Sequence, residues 1–127
     1  MTISHLALWT KDLEGMKRFY ERYFGGRAGR KYENPQKAFE SYFMTFDSGC
    51  RLELMRRGGD APEGRAGINA GLAHFAFSVG SEAEVDRMTV LLASAGTEVA
   101  SQPRLTGDGY YESVIVDPEG NTVEITV

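Results

Sequence analysis

The chain holds two histidines in 127 residues, His5 and His74, and they occupy matching places in two similar stretches. His5 lies in SHLALW; His74 lies in AHFAFS, 69 positions later. Each is followed by a glutamate between aliphatic residues, Leu52-Glu53-Leu54 and Val123-Glu124-Ile125. Strand side chains alternate in direction. Leu6, Leu8, Leu52 and Leu54 are therefore expected on the core side, with His5, Ala7, Trp9 and Glu53 opposite. Phe75, Phe77, Val123 and Ile125 likewise leave His74 and Glu124 on the non-core face. A solvated sheet face is the ordinary setting of a strand glutamate, but symmetric placement beside the only two histidines sets this pair apart. Two imidazoles and two carboxylates form a donor set suited to Zn²⁺, Ni²⁺, Co²⁺, Mn²⁺ or Fe²⁺. With no thiolate among them, the set reads as a catalytic centre with open or water-filled positions.

Other chemistries find little support. There is no H-E-x-x-H and no paired C-x-x-C, so a metal site has to be assembled by the fold. No G-x-S-x-G elbow occurs, and Cys50 has no evident histidine partner, which argues against nucleophilic catalysis. As the single cysteine, Cys50 cannot form an intramolecular disulfide, in keeping with a reducing, cytoplasmic setting. The run GGDAPEGRAGINAG (58–71) has five glycines but not the strand–turn–helix context of a phosphate loop. It reads as a connector, and no residue is assigned to binding a nucleotide cofactor.

The elements that position these residues come in two copies. SHLALWTKDLEGMKRFYERYFGG reads as strand, turn and amphipathic helix, with Leu13, Met16, Phe19, Tyr20, Tyr23 and Phe24 at helical spacing and Gly25–Gly26 as the stop. AHFAFSVGSEAEVDRMTVLLASAG repeats the pattern. Ser81 and Glu84 there form a capping box, Val85, Met88, Leu91, Leu92 and Ala95 form the buried stripe, and Gly96 ends it. Strands are expected over Phe39–Phe46 and Arg51–Arg56 in the first copy, and over Tyr111–Asp117 and Thr122–Val127 in the second. A further short strand is placed near 26–32 and near 97–103. The chain is thus one domain over 1–127, with repeat 1 at about 1–57, a linker at 58–71 and repeat 2 at about 72–127.

Composition is that of a globular domain, 42% hydrophobic and 25% charged. No apolar run approaches the ~20 residues of a membrane span, and MTISHLALW lacks the basic n-region of a signal peptide. The net charge of −4 argues against a general nucleic-acid binder. It is unevenly spread: residues 1–66 carry 12 Lys/Arg against 9 Asp/Glu, and residues 67–127 carry 2 against 9. Arg27, Arg30, Lys31 and Lys37 form a basic cluster that reads as a solvated face or as an attractor for an anionic ligand.

This duplicated β-α-β-β-β layout resembles the vicinal oxygen chelate superfamily over essentially the whole chain. The order His5, Glu53, His74, Glu124 is similar to the metal set of glyoxalase I (lactoylglutathione lyase). DLEGMKRFYERYFG, ENPQKAFESYF and DPEGNTVEI resemble small bacterial chains of that type. The resemblance implies an α+β fold, two tandem repeats in a curved mixed sheet with the helices outside. It also implies one divalent ion (Ni, Zn or Co) per site and a homodimer whose sites are shared between subunits. The implied reaction is isomerisation of a 2-oxoaldehyde hemithioacetal to a 2-hydroxy-thioester, with glutathione or another thiol as cosubstrate. Glu124 matches the family's base, and Glu53 could serve the opposite face or assist.

Relatives differ at the second ligand. Extradiol dioxygenases and fosfomycin-modifying thiol transferases use His-His-Glu, methylmalonyl-CoA epimerase has Gln where Glu53 stands, and bleomycin-binding proteins have lost the ligands. Glu53 with Glu124 thus points to a glyoxalase I-like lyase or isomerase. The alternatives are another metal enzyme of the superfamily (epimerase, thiol transferase, dioxygenase) or a non-catalytic small-molecule binding or resistance protein. One departure stands out. Trp9 occupies the position where glutathione-using bacterial relatives carry an arginine, so a flat apolar wall replaces a carboxylate anchor. Any replacement charge is left to Arg27, Arg30, Lys31 or Lys37.

Overall fold

Strand β1 (His5–Trp9) runs directly into helix α1 (Leu13–Phe24). In this computed structural model, residues 4–58, 72, 74–107 and 109–127 are described. Asp12 caps α1 by accepting the Gly15 N–H at 2.8 Å. Leu13, Met16, Phe19 and Tyr20 form its buried stripe, while Tyr23 and Phe24 are half-buried at its end. Gly25 stops it at φ 65°, a left-handed conformation that a side chain disfavours. Then follow β2 (Arg27–Ala28), β3 (Tyr32–Asn34), a 3₁₀ turn over Pro35–Lys37, β4 (Phe39–Thr45) and β5 (Arg51–Arg57). The single short strand expected near 26–32 is therefore two, because the chain leaves the sheet edge between them and pairs with β4 twice. The sheet order is β1-β5-β4-β2, with β3 also on β4; β1 is parallel to β5 and the other pairs are antiparallel.

The second unit repeats this plan with β6 (Phe75–Ser78), α2 (Glu82–Ser94), β7 (Glu98–Leu105), β8 (Tyr111–Val116) and β9 (Thr122–Thr126). Its order is β6-β9-β8-β7, again with the first strand parallel to the last. The two compact units are Met1–Gly64 and Arg65–Val127. The expected linker 58–71 lies, apart from Gly58, outside the described residues. No helix among the described residues is long and apolar enough to cross a membrane.

Two expectations for α2 need correction. Its buried residues are Val85, Met88, Thr89 and Leu92, the i, i+3, i+4, i+7 face, whereas Leu91 is 44% exposed and Ala95 is exposed too. Thr89 belongs to the core because its hydroxyl bonds the Val85 carbonyl at 2.7 Å and Ser113 Oγ at 2.6 Å. The capping box is half formed. Ser81 Oγ accepts the Glu84 N–H at 3.3 Å, but the Glu84 carboxylate turns to Arg87, with bonds at 2.8–3.1 Å.

Alternation along the strands appears as expected. Leu8, Leu52 and Leu54 in the first unit, and Phe75, Val123 and Ile125 in the second, are buried on the helix side. Each such side chain contributes about 1.5–3 kcal/mol by leaving water. A one-residue slip would exchange these for the glutamates, so apolar burial fixes the direction in which Glu53 and Glu124 point.

Candidate metal centre

The histidine–glutamate pairs form by the same device in both units. Parallel pairing sets Ala7 against Glu53 and Ala76 against Glu124. The histidine lies two residues before each alanine, on the same face, and the small alanine leaves the corner open for the imidazole to reach across. His5 Nε2 lies 4.0 Å from Glu53 Oε2, and His74 Nε2 lies 3.3 Å from Glu124 Oε2. The glutamate side chains are only 15% and 19% exposed, the histidines 39% and 46%. The histidines stand at the strand ends rather than in mid-strand: His5 opens β1 and His74 immediately precedes β6.

His5 has further support. Ser4 Oγ is 3.2 Å from its Nδ1, and Arg51 Nη2 donates to the same Ser4 Oγ at 3.3 Å. Phe43, opposite Glu53 in the β4–β5 register, meets the imidazole edge-on at 5.3 Å, and the Arg51 guanidinium lies 4.5 Å over the Phe43 ring. A polar group at Nδ1 leaves Nε2 as the nitrogen facing Glu53, the arrangement that orients metal-binding histidines.

Glu124 is placed by the turn before it. Asp117 is buried, and its Oδ1 accepts the backbone N–H groups of Glu119 at 3.0 Å and Asn121 at 2.8 Å. The Asn121 side-chain amide adds bonds at 2.8 and 3.1 Å to the two carboxylate oxygens. Gly120 takes φ 86° within this turn. The turn fixes Val116 against Thr122 and, two steps on, Val114 against Glu124.

Each unit thus presents one imidazole nitrogen and one carboxylate oxygen from adjacent strands. Among the described residues there is no group of three or more His, Cys, Asp or Glu side chains that could hold a metal ion.

Trp9 shares the His5 face and is 44% exposed, meeting Phe39 edge-on at 6.3 Å. Of the cations considered as replacement charges, Arg27 is paired with Asp47 at 3.2 Å. Lys31 binds Glu14 at 3.1 Å and Glu40 at 2.6 Å, against α1. Its hydrogen bonds to Glu40, then Glu14, push the Lys31 ammonium well above its ordinary range. The Lys31 bond, against the opposing effect of burial and with help from Arg56, holds Glu40 low. Burial raises Glu14, but bonds from Lys31 and the Tyr42 hydroxyl outweigh it and hold that carboxyl low as well. This network braces α1 against β4. A cleft of ≈ 380 Å³ nearby is lined by Glu33, Glu40 and Arg56 among others, and by neither His5 nor Glu53.

Arg51, Phe43, Phe39 and Arg57 belong to the same sheet face as Glu53 and were not singled out from the sequence. Alternation along Arg51-Leu52-Glu53-Leu54-Met55-Arg56-Arg57 already placed both arginines there, but Phe43 and Phe39 required the β4–β5 register.

The family model described as Glyoxalase/Bleomycin resistance protein/Dioxygenase superfamily matches residues 2–125. Similar solved structures include a glyoxylase/bleomycin resistance protein/dioxygenase domain from Frankia sp. EAN1pec. It shares 19% identity at TM-score 0.86, with 100% of this chain and 97% of that one covered. A possible glyoxalase from Bacillus cereus shares 28% identity at TM-score 0.76, covering 100% and 99%. Glyoxalase I from Zea mays shares 22% identity at TM-score 0.81, covering 98% of this chain but 43% of that one. The chain therefore spans under half the length of the maize enzyme. No curated protein matches by sequence.

Proposed function

The chain belongs to the Glyoxalase/Bleomycin resistance protein/Dioxygenase superfamily, and from that premise we propose that it is a metal-dependent, glyoxalase I-like isomerase acting on the hemithioacetal of a 2-oxoaldehyde. The observation that carries the reading is the repeated pairing of imidazole Nε2 with carboxylate Oε2, at 4.0 Å in one unit and 3.3 Å in the other. Two imidazole nitrogens and two carboxylate oxygens fit a divalent ion of the Zn, Ni or Co type. His5, Glu53, His74 and Glu124 are the residues that would hold it, drawn from one chain or across a homodimer. When bound, such an ion acts as a Lewis acid on the substrate's vicinal oxygens.

The chain's own groups do the proton transfer. Glu124 takes the proton from the hemithioacetal carbon, whose C–H electron pair moves toward the neighbouring carbonyl carbon. The same carboxyl then returns a proton to that neighbouring carbon, while the hydroxyl proton of the first carbon passes to the former carbonyl oxygen as the thioester C=O forms, and the product is the 2-hydroxy-thioester. Glu53 assists or serves the opposite face, and Trp9 walls the pocket. Glutathione or another thiol is the cosubstrate.

Glu124→Gln tests this. It keeps one oxygen ligand but removes the charge and basicity, so at saturating metal its turnover should fall on the order of 10²–10⁴-fold while metal occupancy partly persists. His5→Ala should lose metal first and regain some activity at high metal concentration. Near-normal isomerisation by fully metallated Glu124→Gln moves the base elsewhere, Glu53 being next. If neither glutamate matters to any turnover while small-molecule binding persists, the protein is a binder.

A further inference from the structure

Glu112 is a strand carboxylate as deeply set as Glu40, Glu53 and Glu124, its side chain only 12% exposed. The other three are engaged: Glu40 with Lys31 and Arg56, Glu53 with His5, Glu124 with His74. Glu112 is not. Among the described residues it meets only Arg104, whose Nη2 stands 3.6 Å from Oε1, too far for a hydrogen bond. The Arg104 Nη1 donates instead to Ser101 Oγ at 2.6 Å. A carboxylate this far out of water carries a cost unless its oxygens find donors, so its open acceptor sites call for a partner.

Ser113, Ile115, Val123 and Ile125 are buried on the helix side, so alternation sets Glu112 on the same face as Glu124. Register runs from Ser78 to Thr126, from Thr126 to Glu112 and from Glu112 to Arg104, a polar row across all four strands of the second unit. The row lies beside the one that holds Ala76, Glu124 and Val114. Glu112 and Glu124 are diagonal neighbours, roughly 7–8 Å apart at Cα. The matching row of the first unit is Trp9, Met55, Ser41 and Tyr32, largely apolar. The polar row is thus particular to the second repeat. It interleaves two hydroxyls, a carboxylate and a guanidinium, and Arg104 offsets the charge of Glu112. Neutral hydroxyl groups, which donate and accept, match such a set; an alkyl chain would strip water from it.

We propose that Ser78, Thr126, Glu112 and Arg104 form a subsite for hydroxyl groups, so that the protein takes 2-oxoaldehydes with a hydroxylated chain in preference to alkyl ones. The proposal rests on the reading of Glu124 as the group at the reacting carbon. A chain of a few carbons leaving that carbon spans the diagonal step to Glu112, where its hydroxyls donate to the free carboxylate oxygen and accept from Arg104. The test does not require turnover. Thioethers of N-acetylcysteine with S-pentyl, S-(3,4,5-trihydroxypentyl) or S-(5-aminopentyl) chains are unreactive mimics, titrated by calorimetry into wild type, Glu112→Leu, Glu112→Gln and Ser78→Ala.

Wild type should bind the triol about 10-fold tighter than the pentyl chain, the effect of one hydrogen bond to a charged group. Glu112→Leu should remove that preference, Glu112→Gln should keep part of it, and Ser78→Ala, at the exposed end of the row, should lessen it. Equal or tighter binding of the pentyl chain, tighter binding of the amine than of the triol, or no binding of any mimic at millimolar concentration overturns the subsite. So does an undiminished preference in Glu112→Leu, or in Ser78→Ala should Glu112→Leu not fold. A separate assay compares kcat/KM for the N-acetylcysteine hemithioacetals of 3-deoxyglucosone and methylglyoxal, where Glu112→Leu should lower the ratio about 10-fold. A Glu112-dependent triol preference without turnover in any metal removes the isomerase reading and leaves the subsite standing. Turnover of both adducts with a ratio unmoved by Glu112→Leu does the reverse.

Discussion

Replacing Asp117 by alanine strikes the turn that delivers Glu124 to its face. The buried carboxylate accepts two backbone N–H groups, from Glu119 and Asn121, and the Asn121 side-chain amide. Each bond is worth about 1 kcal/mol net, more when the acceptor is charged, and a buried donor left without a partner costs about as much again. The Asn121 amide can turn to water, so the expected loss is about 2–4 kcal/mol, or roughly 8–15 °C in Tm for a chain of this size. Asp117→Asn retains an oxygen for both backbone donors but sets one amide against another, and should lose only about 1 kcal/mol. Because the turn fixes Val116 against Thr122 and hence Val114 against Glu124, Asp117→Ala should also weaken divalent-metal binding. Glu124→Gln should weaken metal binding with little change in Tm. Urea unfolding and metal titration of the three variants are the measurements. A loss below about 0.5 kcal/mol in Asp117→Ala, or equal losses in Asp117→Ala and Asp117→Asn, would show that the turn does not depend on these bonds.

The Lys31 network should give stability an acid limb. Glu14 and Glu40 are held low in the folded chain, so they bind fewer protons folded than unfolded. Their contribution is complete above the ordinary carboxylate pKa of about 4.3 and fades as pH falls through the lower folded values. Lys31 is held high, so its contribution is complete below about pH 10.4 and is lost only as pH rises through the folded value. Lys31 and Glu40 are 28% and 15% exposed, so water still screens the pair, and the effect should be about 1 kcal/mol. Lys31→Met should unfold in urea with a smaller difference between pH 7 and pH 3 than wild type, and an unchanged difference would refute the assignment. Zinc, nickel or cobalt at a hundred times its dissociation constant should raise stability by about 2.7 kcal/mol. Chelator should reverse this and His74→Ala should lack it, whereas a melting curve indifferent to metal would count against the ion.

Much of this was legible in the chain itself. The duplication, both helix starts, the α1 stop at Gly25 and the facing of Glu53 and Glu124 follow from local rules: a capping aspartate or serine, a residue free to take positive φ, and alternation that must bury the leucines. Burial leaves one choice of strand face, so the direction of each glutamate was determined by Leu52-Leu54 and Val123-Ile125 before any pairing was known. What needed tertiary structure was lateral information. The sequence does not say that β1 lies parallel to β5 with Ala7 beside Glu53, which brings His5 and Glu53 together across 48 residues of chain. Nor does it say that Thr89 rather than Leu91 enters the core. That choice depends on Ser113, which supplies a hydroxyl partner from another strand. The same holds for the charges. Lys31 looked like a free cation in the sequence and is paired with Glu14 and Glu40, while Arg57, unremarked there, lies on Trp9. Local propensity fixes how a segment folds and which face it buries, but the partner of a polar side chain is decided by neighbours that are distant in sequence and become adjacent only when the strands pair.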